Sequence, residues 1–225
     1  MTLSLWTPVD RDRPVRKLYK DGKKVEIEWS YYWREVKAWK NEDITLSLIK
    51  TLKDKIIERD LNVCLGSNSP IEELLTDRNE FRRTKASLKN EDRNWSLLDC
   101  DKCYPEVHPQ MSTRERVKVL EDRLPILRRQ GLVAWPSSSG YFLDDSIDKE
   151  TGLSKHHRLN LHIFILFDKP ESEQTIKNFL KSHKDDLDTA LGVITQPHLI
   201  ANPIFENTPK HTYPGQDVFL REPGC

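Results

Sequence analysis

Apolar positions along this chain follow two rhythms. Between Glu42 and Asp60, Ile44, Leu48, Leu52 and Ile56 recur every four residues with Ile49 beside them, which is the stripe of an amphipathic helix. The forty residues before it mix charge with aromatic side chains (Trp29, Tyr31, Tyr32, Trp33, Trp39) and read as a hairpin-like entry. Gly66-Ser-Asn-Ser-Pro70 breaks the chain, and a second helix is expected from Glu72 to Lys89, with basic residues gathered in its tail. From Trp95 the grammar changes. Trp95-Ser-Leu-Leu-Asp-Cys-Asp101 is a strand-like run ending in acids. Ser112-Thr-Arg-Glu115 is a capping box, opening a helix that Gly131 closes. Leu132 to Trp135 is a second strand, closed by Pro136-Ser-Ser-Ser-Gly140, and a polar loop runs from Asp144 to Arg158. Leu159 to Phe167 is apolar almost throughout, as in a strand buried on both faces. A helix follows from Pro170 to about Lys184, then a strand-like segment from Leu191 to Phe205.

This order predicts an α/β (α+β) chain: a sheet with helices packed on one face and acids at a strand end. Residues 1–94 form a helical or α-β subdomain and residues 95–225 the sheet that carries the chemistry. Thirty-six basic residues balance thirty-six acidic ones, which excludes a binder that coats nucleic acid through bulk charge. Charged residues make up 32% of the chain, yet six Trp, seven Phe and six Tyr supply a real core, so wholesale disorder is excluded too.

The N-terminus turns polar too soon for a signal peptide. The longest unbroken apolar run, Ile163 to Phe167, is far short of the ~20 residues of a membrane helix. Four cysteines are too few for a disulfide framework, so a reduced, cytoplasmic protein is expected. Cys100 and Cys103 have C-x2-C spacing with His108 nearby, but only Cys64 and Cys225 remain to complete a structural zinc site, and the ligand arithmetic argues against one. The chain ends on Pro-Gly-Cys without a tail, as a module of something longer would.

The sharpest chemical feature is Asp99-Cys100-Asp101. Residues two apart on a strand point to one side, so the two carboxylates converge. Held about 4–5 Å apart they repel unless a divalent cation lies between them, and oxygen ligands suit Mg2+ or Mn2+. Such pairs, usually with a third carboxylate, hold the metals of phosphoryl and nucleotidyl transfer. A solvated strand end is the plain alternative, but acids at the end of a buried strand are costly unless they are used.

His162 stands just inside the core strand and alternates with Asn160, so both are expected on one side of the sheet; a satisfied core histidine is the rival reading. The loop before them, Lys155-His-His-Arg158, offers cations to phosphate. Ser137 and Ser139 offer hydroxyls in a Ser/Gly turn. Asp188 is the candidate third acid, and Asp217 competes with it. Arg114, Arg116, Lys118, Arg123, Arg128 and Arg129 lie on the capped helix, where Glu115, Glu121 and Asp122 partly cancel them, and read mostly as a solvated face.

Taken in order, Leu-Leu-Asp99-x-Asp101, a strand with His162-Ile-Phe, and an acid near the following helix, the segment from 95 to 205 resembles the archaeo-eukaryotic primase superfamily, in particular primase-polymerases of phage and plasmid type. The resemblance implies an RRM-like sheet packed with an N-terminal α/β unit, and an active site in the cleft between them. Asp99, Asp101 and Asp188 are then the catalytic and metal-binding acids for Mg2+ or Mn2+. His162 meets the nucleotide phosphates, helped by Arg158 or Lys155. The expected activity is DNA-templated primer synthesis or extension in the replication of a phage or mobile element. Its partners are a single-stranded DNA template, dNTP or NTP and a helicase domain or partner, with no membrane. Two rivals remain open. A rolling-circle or relaxase nickase also carries His-hydrophobic-His on a strand, with Tyr104, Tyr141 or Tyr213 as nucleophile. A non-catalytic DNA-binding initiator module is the other.

Overall fold

Strands form where large apolar side chains alternate, and the sheets assemble around the tryptophans. The computed structural model describes residues 2–10, 16–25, 30–141, 146–193, 195–210 and 218–224. The first sheet holds β1 (Leu3–Pro8), β4 (Tyr32–Trp39), β5 (Cys64–Ser67), β6 (Glu80–Arg82) and β10 (His198–Leu199), in the order β10-β5-β1-β4-β6, every pair antiparallel. A small second sheet pairs β2 (Leu18–Lys20) with β3 (Lys23–Val25) around a tight Asp21-Gly22 turn, both residues at positive φ, and β11 (Ile204–Glu206) lies parallel to β2. The third sheet contains β7 (Arg93–Cys100), β8 (Leu132–Pro136), β9 (Leu161–Glu171) and β12 (Phe219–Arg221), in the order β12-β8-β9-β7.

Both β7 and β8 run antiparallel to β9, so they are parallel to each other with β9 between them. The helix joining them is α2 (Thr113–Arg123), and the unit is a split β-α-β. The remaining helices are α1 (Leu46–Glu58) and α3 (Glu173–Ser182), and the class is mixed α/β with antiparallel sheets.

Strand alternation places Trp95, Leu97, Asp99, Trp135, His162 and Phe164 on one face of the third sheet, with Trp95 stacked on Phe164 at 5.3 Å. On that face Trp95 also meets His198 of β10 edge-on and donates its indole N–H to Thr2 O, while Lys53 of α1 lies over Trp135. Ile165 and Phe167 point the other way, toward Ile176 and Phe179 of α3. The expectation of helices on one face therefore needs correction: the sheet is covered on both. The two halves of the chain interlock. β10 and β11 complete sheets begun by the first half, α1 packs on strands of the second, and one main core cluster runs through both.

The helix expected over Glu72 to Lys89 is absent. Single 3-10 turns at Glu72–Leu74 and Lys85–Ser87 flank β6 instead. Asn79 takes a left-handed φ, and Phe81 is drawn as a strand partner of Trp33 into a satellite core with Trp6, whose ring it meets edge-on at 5.4 Å. Of the six basic residues read in its tail (Arg78, Arg82, Arg83, Lys85, Lys89 and Arg93), three lie on aromatic faces: Arg82 over Tyr31, Arg83 over Trp33 and Arg93 over Trp95. Lys85 and Lys89 pair with Glu173 and Glu72.

The capping box at Ser112 and Glu115 forms in both directions, but α2 stops at Arg123 because Pro125 follows, and a 3-10 turn covers the rest of the way to Gly131. Pro170 belongs to β9, and α3 starts at Glu173 behind the Ser172 cap. The long strand expected over Leu191 to Phe205 is two short pieces, β10 and β11. Among the described residues no helix is long and apolar enough to cross a membrane.

Candidate active site

The end of β7 carries Asp99, and its cross-strand partner on β9 is His162. Directly opposed residues of an antiparallel pair share a face, and here the imidazole Nε2 stands 3.5 Å from Asp99 Oδ2. The histidine is almost wholly buried, with its other side against the Trp135 ring at 6.1 Å. Asp101 lies just past the strand. It accepts a hydrogen bond from Ser137 Oγ at 3.0 Å, and the Ser137 backbone N–H bonds to Asn160 O.

Both aspartates line a cleft of about 620 Å³. Its walls also hold Asp186, Asp188, Lys155 and Arg158, together with Lys102 and the loop residues Ile147 to Glu150. Asp188 arrives there because its backbone N–H bonds to Asp99 O at 2.9 Å, which fastens the turn after α3 to the strand end. Its side chain accepts from Ala190 N, and Asp186 accepts from the buried Tyr104 hydroxyl at 2.7 Å. Arg158 pairs with Asp148 at 3.3 Å, and Lys102 with Glu150 at 2.9 Å.

The two aspartates are electrically unlike. Burial raises the proton affinity of Asp99, but His162, with Lys17 and His198, outweighs it and holds Asp99 below the usual carboxylate range. Burial and the charge of Asp99 push Asp101 up, and Lys17, His162 and the Ser137 hydroxyl offset only part of that. Asp99 is therefore the settled anion, and Asp101 is the member whose charge is resisted.

No family model, curated protein or solved structure matches the chain. What the cleft can do is argued from its own atoms.

Asp99 Oδ1 is buried and has no hydrogen-bond partner. A carboxylate oxygen left bare beside a second carboxylate fits a hard divalent cation, which would satisfy the one and relieve the repulsion between the two. Among the described residues no three His, Cys, Asp or Glu side chains stand close enough together to hold an ion, so the pair alone carries that fit.

Of the residues singled out in the sequence, Asp99, Asp101, Asp188, Lys155 and Arg158 meet in the cleft, and His162 touches it through Asp99. Ser137 is turned to Asp101, and Ser139 accepts from Lys17 Nζ at 3.2 Å. Asn160 lies before β9 at φ 50°, so the alternation expected to align it with His162 does not reach it. Asp217 and Tyr213 fall outside the described residues. Tyr104, a candidate nucleophile, is buried, and its hydroxyl is held protonated by burial and by Asp186.

Two residues escaped sequence reasoning. Lys17 is one of many basic residues near the N-terminus, and nothing in its spacing marks it. Arg116, read as part of a solvated face, is buried: its guanidinium donates to the carbonyls of Met111, Arg158, Leu159, His108 and Pro109, pinning the loop that leads into β9.

Proposed function

We propose that the chain is a DNA-templated nucleotidyltransferase of the primase-polymerase kind, with its active site in the Asp99–Asp101 cleft. The observation that carries this reading is the meeting, in one cleft, of a strand-end aspartate pair, a further acid at Asp188, and the cations Lys155 and Arg158, with His162 set against Asp99. The split β-α-β unit, followed by β9, α3 and β12, supports an RRM-like sheet, here with its last strand beside β8.

Asp99 and Asp101 would hold Mg2+ or Mn2+, and Asp188, the third acid of the resemblance, stands in the wall of the same cleft without closing a three-acid group around an ion. Bound there, the ions would lower the pKa of a primer 3′-hydroxyl and balance charge on the departing pyrophosphate. His162 orients Asp99 through the contact at 3.5 Å, and Ser137 orients Asp101. Arg158 and Lys155 face the phosphates, and charge-assisted bonds from them align the nucleotide. In the transfer the 3′-oxygen bonds to the α-phosphorus, the bond to the bridging oxygen breaks, pyrophosphate leaves with that electron pair, and the hydroxyl proton passes to water. The chain need supply no covalent nucleophile.

The test is extension of a primer on a single-stranded template with dNTP or NTP and either metal. Wild-type protein is expected to incorporate nucleotide and release pyrophosphate, and Asp101→Ala to lose at least about 10³-fold while keeping its circular dichroism spectrum. Incorporation by Asp101→Ala near the wild-type rate would refute the reading. A covalent protein–DNA adduct would favour the nickase, and DNA binding without incorporation a non-catalytic initiator module.

A further inference from the structure

Large apolar side chains are exposed at six described positions, and three of them, Tyr31, Tyr32 and Val36, gather on β4 and the residue before it. Strand register explains why they stay out of the core. Trp33 pairs with Phe81, and both turn into the satellite core. Tyr32 and Arg34, with their β6 partners Arg82 and Glu80, therefore point to the other face. Val36 is the residue skipped where β4 pairs with β1, since Lys37 faces Leu5 and Glu35 faces Trp6. Tyr31 is 64% exposed and Tyr32 46%.

Cations are set among these rings. Arg82 lies over Tyr31 at 5.1 Å and Lys37 over Trp39 at 5.3 Å, and among the described residues neither is paired with an acid. Arg34 pairs with Glu80 at 3.0 Å, so the acid on this face is already matched. Exposed rings gathered beside unmatched cations mark a surface that meets a partner. The complement of such a surface is a polyanion that carries flat apolar groups, which describes a single nucleic-acid strand. Its bases lie on aromatic faces and its phosphates meet the cations.

We infer that the open face of β4 and β6 is a docking surface for single-stranded nucleic acid, with Tyr31 and Tyr32 stacking bases and Arg82 and Lys37 meeting phosphates. None of these residues lines the Asp99–Asp101 cleft, and the surface belongs to a different sheet. The inference goes beyond the nucleotidyl-transfer reading and does not depend on it.

Anisotropy of a fluorescein-labelled oligothymidylate of about 20 nucleotides, in EDTA so that the cleft holds no metal, measures the affinity. Tyr32→Ala is expected to bind about tenfold more weakly, and Tyr32→Phe within about twofold of wild type. Arg82→Gln should bind about fivefold more weakly, with the slope of log affinity against log salt smaller by about 0.7. Heparin, a polyanion without bases, should bind wild type and Tyr32→Ala alike. Tyr31, Tyr32 and Arg82 are exposed, so thermal midpoints should stay at the wild-type value, and Tyr31→Ala gives the same readout should Tyr32→Ala fail to fold. Wild-type protein that does not bind the oligomer, or binding that Tyr32→Ala and Arg82→Gln leave unchanged, overturns the assignment. A Tyr32→Ala loss that heparin shares overturns it too, because the face would then be a charged patch without stacking. None of these results bears on the cleft, whose own test is primer extension.

Discussion

The buried face of α1 carries Leu46, Ile49, Lys53 and Ile56, so a lysine occupies a core position of an otherwise apolar stripe. Only 3% of Lys53 is exposed. Its Nζ donates to the Ile200 carbonyl and lies 5.7 Å from the centre of the Trp135 ring. Burial lowers its pKa from 10.5 to about 7, against a smaller opposing pull from Asp54. That fall corresponds to about 5 kcal/mol in favour of the neutral amine. Between pH 7 and 10.5 the unfolded chain keeps the Lys53 proton and the folded chain has released it, so stability rises with pH by up to about 1.4 kcal/mol per unit. From pH 8 to pH 10 this one group should add about 2.5 kcal/mol to the wild-type protein.

Lys53→Met keeps the stem and removes the charge. At pH 7 it escapes most of the ionisation cost but leaves the Ile200 carbonyl without its donor, a loss of about 1–3 kcal/mol, and gives up the ring contact at about 1 kcal/mol. A net gain of about 1–2 kcal/mol is expected there, and it should shrink by about 3.5 kcal/mol, changing sign, by pH 10. Urea unfolding of both proteins at pH 7, 8, 9 and 10 measures the difference, and groups common to both cancel. A difference that stays constant across that range would refute the assignment of a neutral, buried amine.

Two further substitutions test the parts of the fold that hold the cleft. A methyl group on Gly66 would fall 2.0 Å from the Trp6 indole, so Gly66→Ala should cost about 3 kcal/mol and lower the thermal midpoint by about 10 °C, measured by calorimetry. Arg116→Met leaves several buried carbonyls without a donor and should cost about 3–5 kcal/mol in urea unfolding, with faster proteolysis between residues 105 and 111; a loss under about 1 kcal/mol would mean that the loop is held by something else.

The strands of the third sheet were legible because their apolar runs are short, continuous and bounded by turns. Their pairing was not, since the contact between Asp99 and His162 depends on the register of β7 against β9, and no local pattern records register. α1 was legible as a helix, and Ile44, Ile49 and Ile56 of its apolar stripe are buried, but Leu48 and Leu52 form only its half-buried shoulder, while Leu46 and Lys53 complete the buried face. The false helix at Glu72 to Lys89 has a similar origin. Charged residues there have good helix propensity, but Phe81 buries more surface as the strand partner of Trp33 than it could on a helix with no apolar stripe, and tertiary packing wins. Within the cleft, the residues close together in sequence were recoverable from spacing. Lys17 depends on a parallel pairing with residues nearly two hundred positions later, which composition and periodicity do not encode.

Buried polar atoms without a hydrogen-bond partner occur in several places, Trp6, Asn68, Arg93 and His198 among them, and one group of them lies at the cleft. Asp99 Oδ1, His162 Nδ1, Trp135 Nε1, Asn160 Oδ1 and Arg158 Nε are all buried without a hydrogen-bond partner, and all belong to the ends of β7 and β8 or to the start of β9 and the loop before it. Each such atom costs about 1–3 kcal/mol, and nearby Ser137 and Arg116 show that the same backbone can satisfy its neighbours fully. A fold under selection for stability alone would replace these side chains with apolar ones of the same shape, as it has done along Leu97, Leu98, Ile163 and Phe164 immediately inside. The polarity begins where β7 and β9 open onto the cleft, and it combines donors with acceptors. Under the proposed function the bare carboxylate oxygen of Asp99 would meet a cation and the unused Nε–H of Arg158 an anion. A metal-bound triphosphate would bring both together.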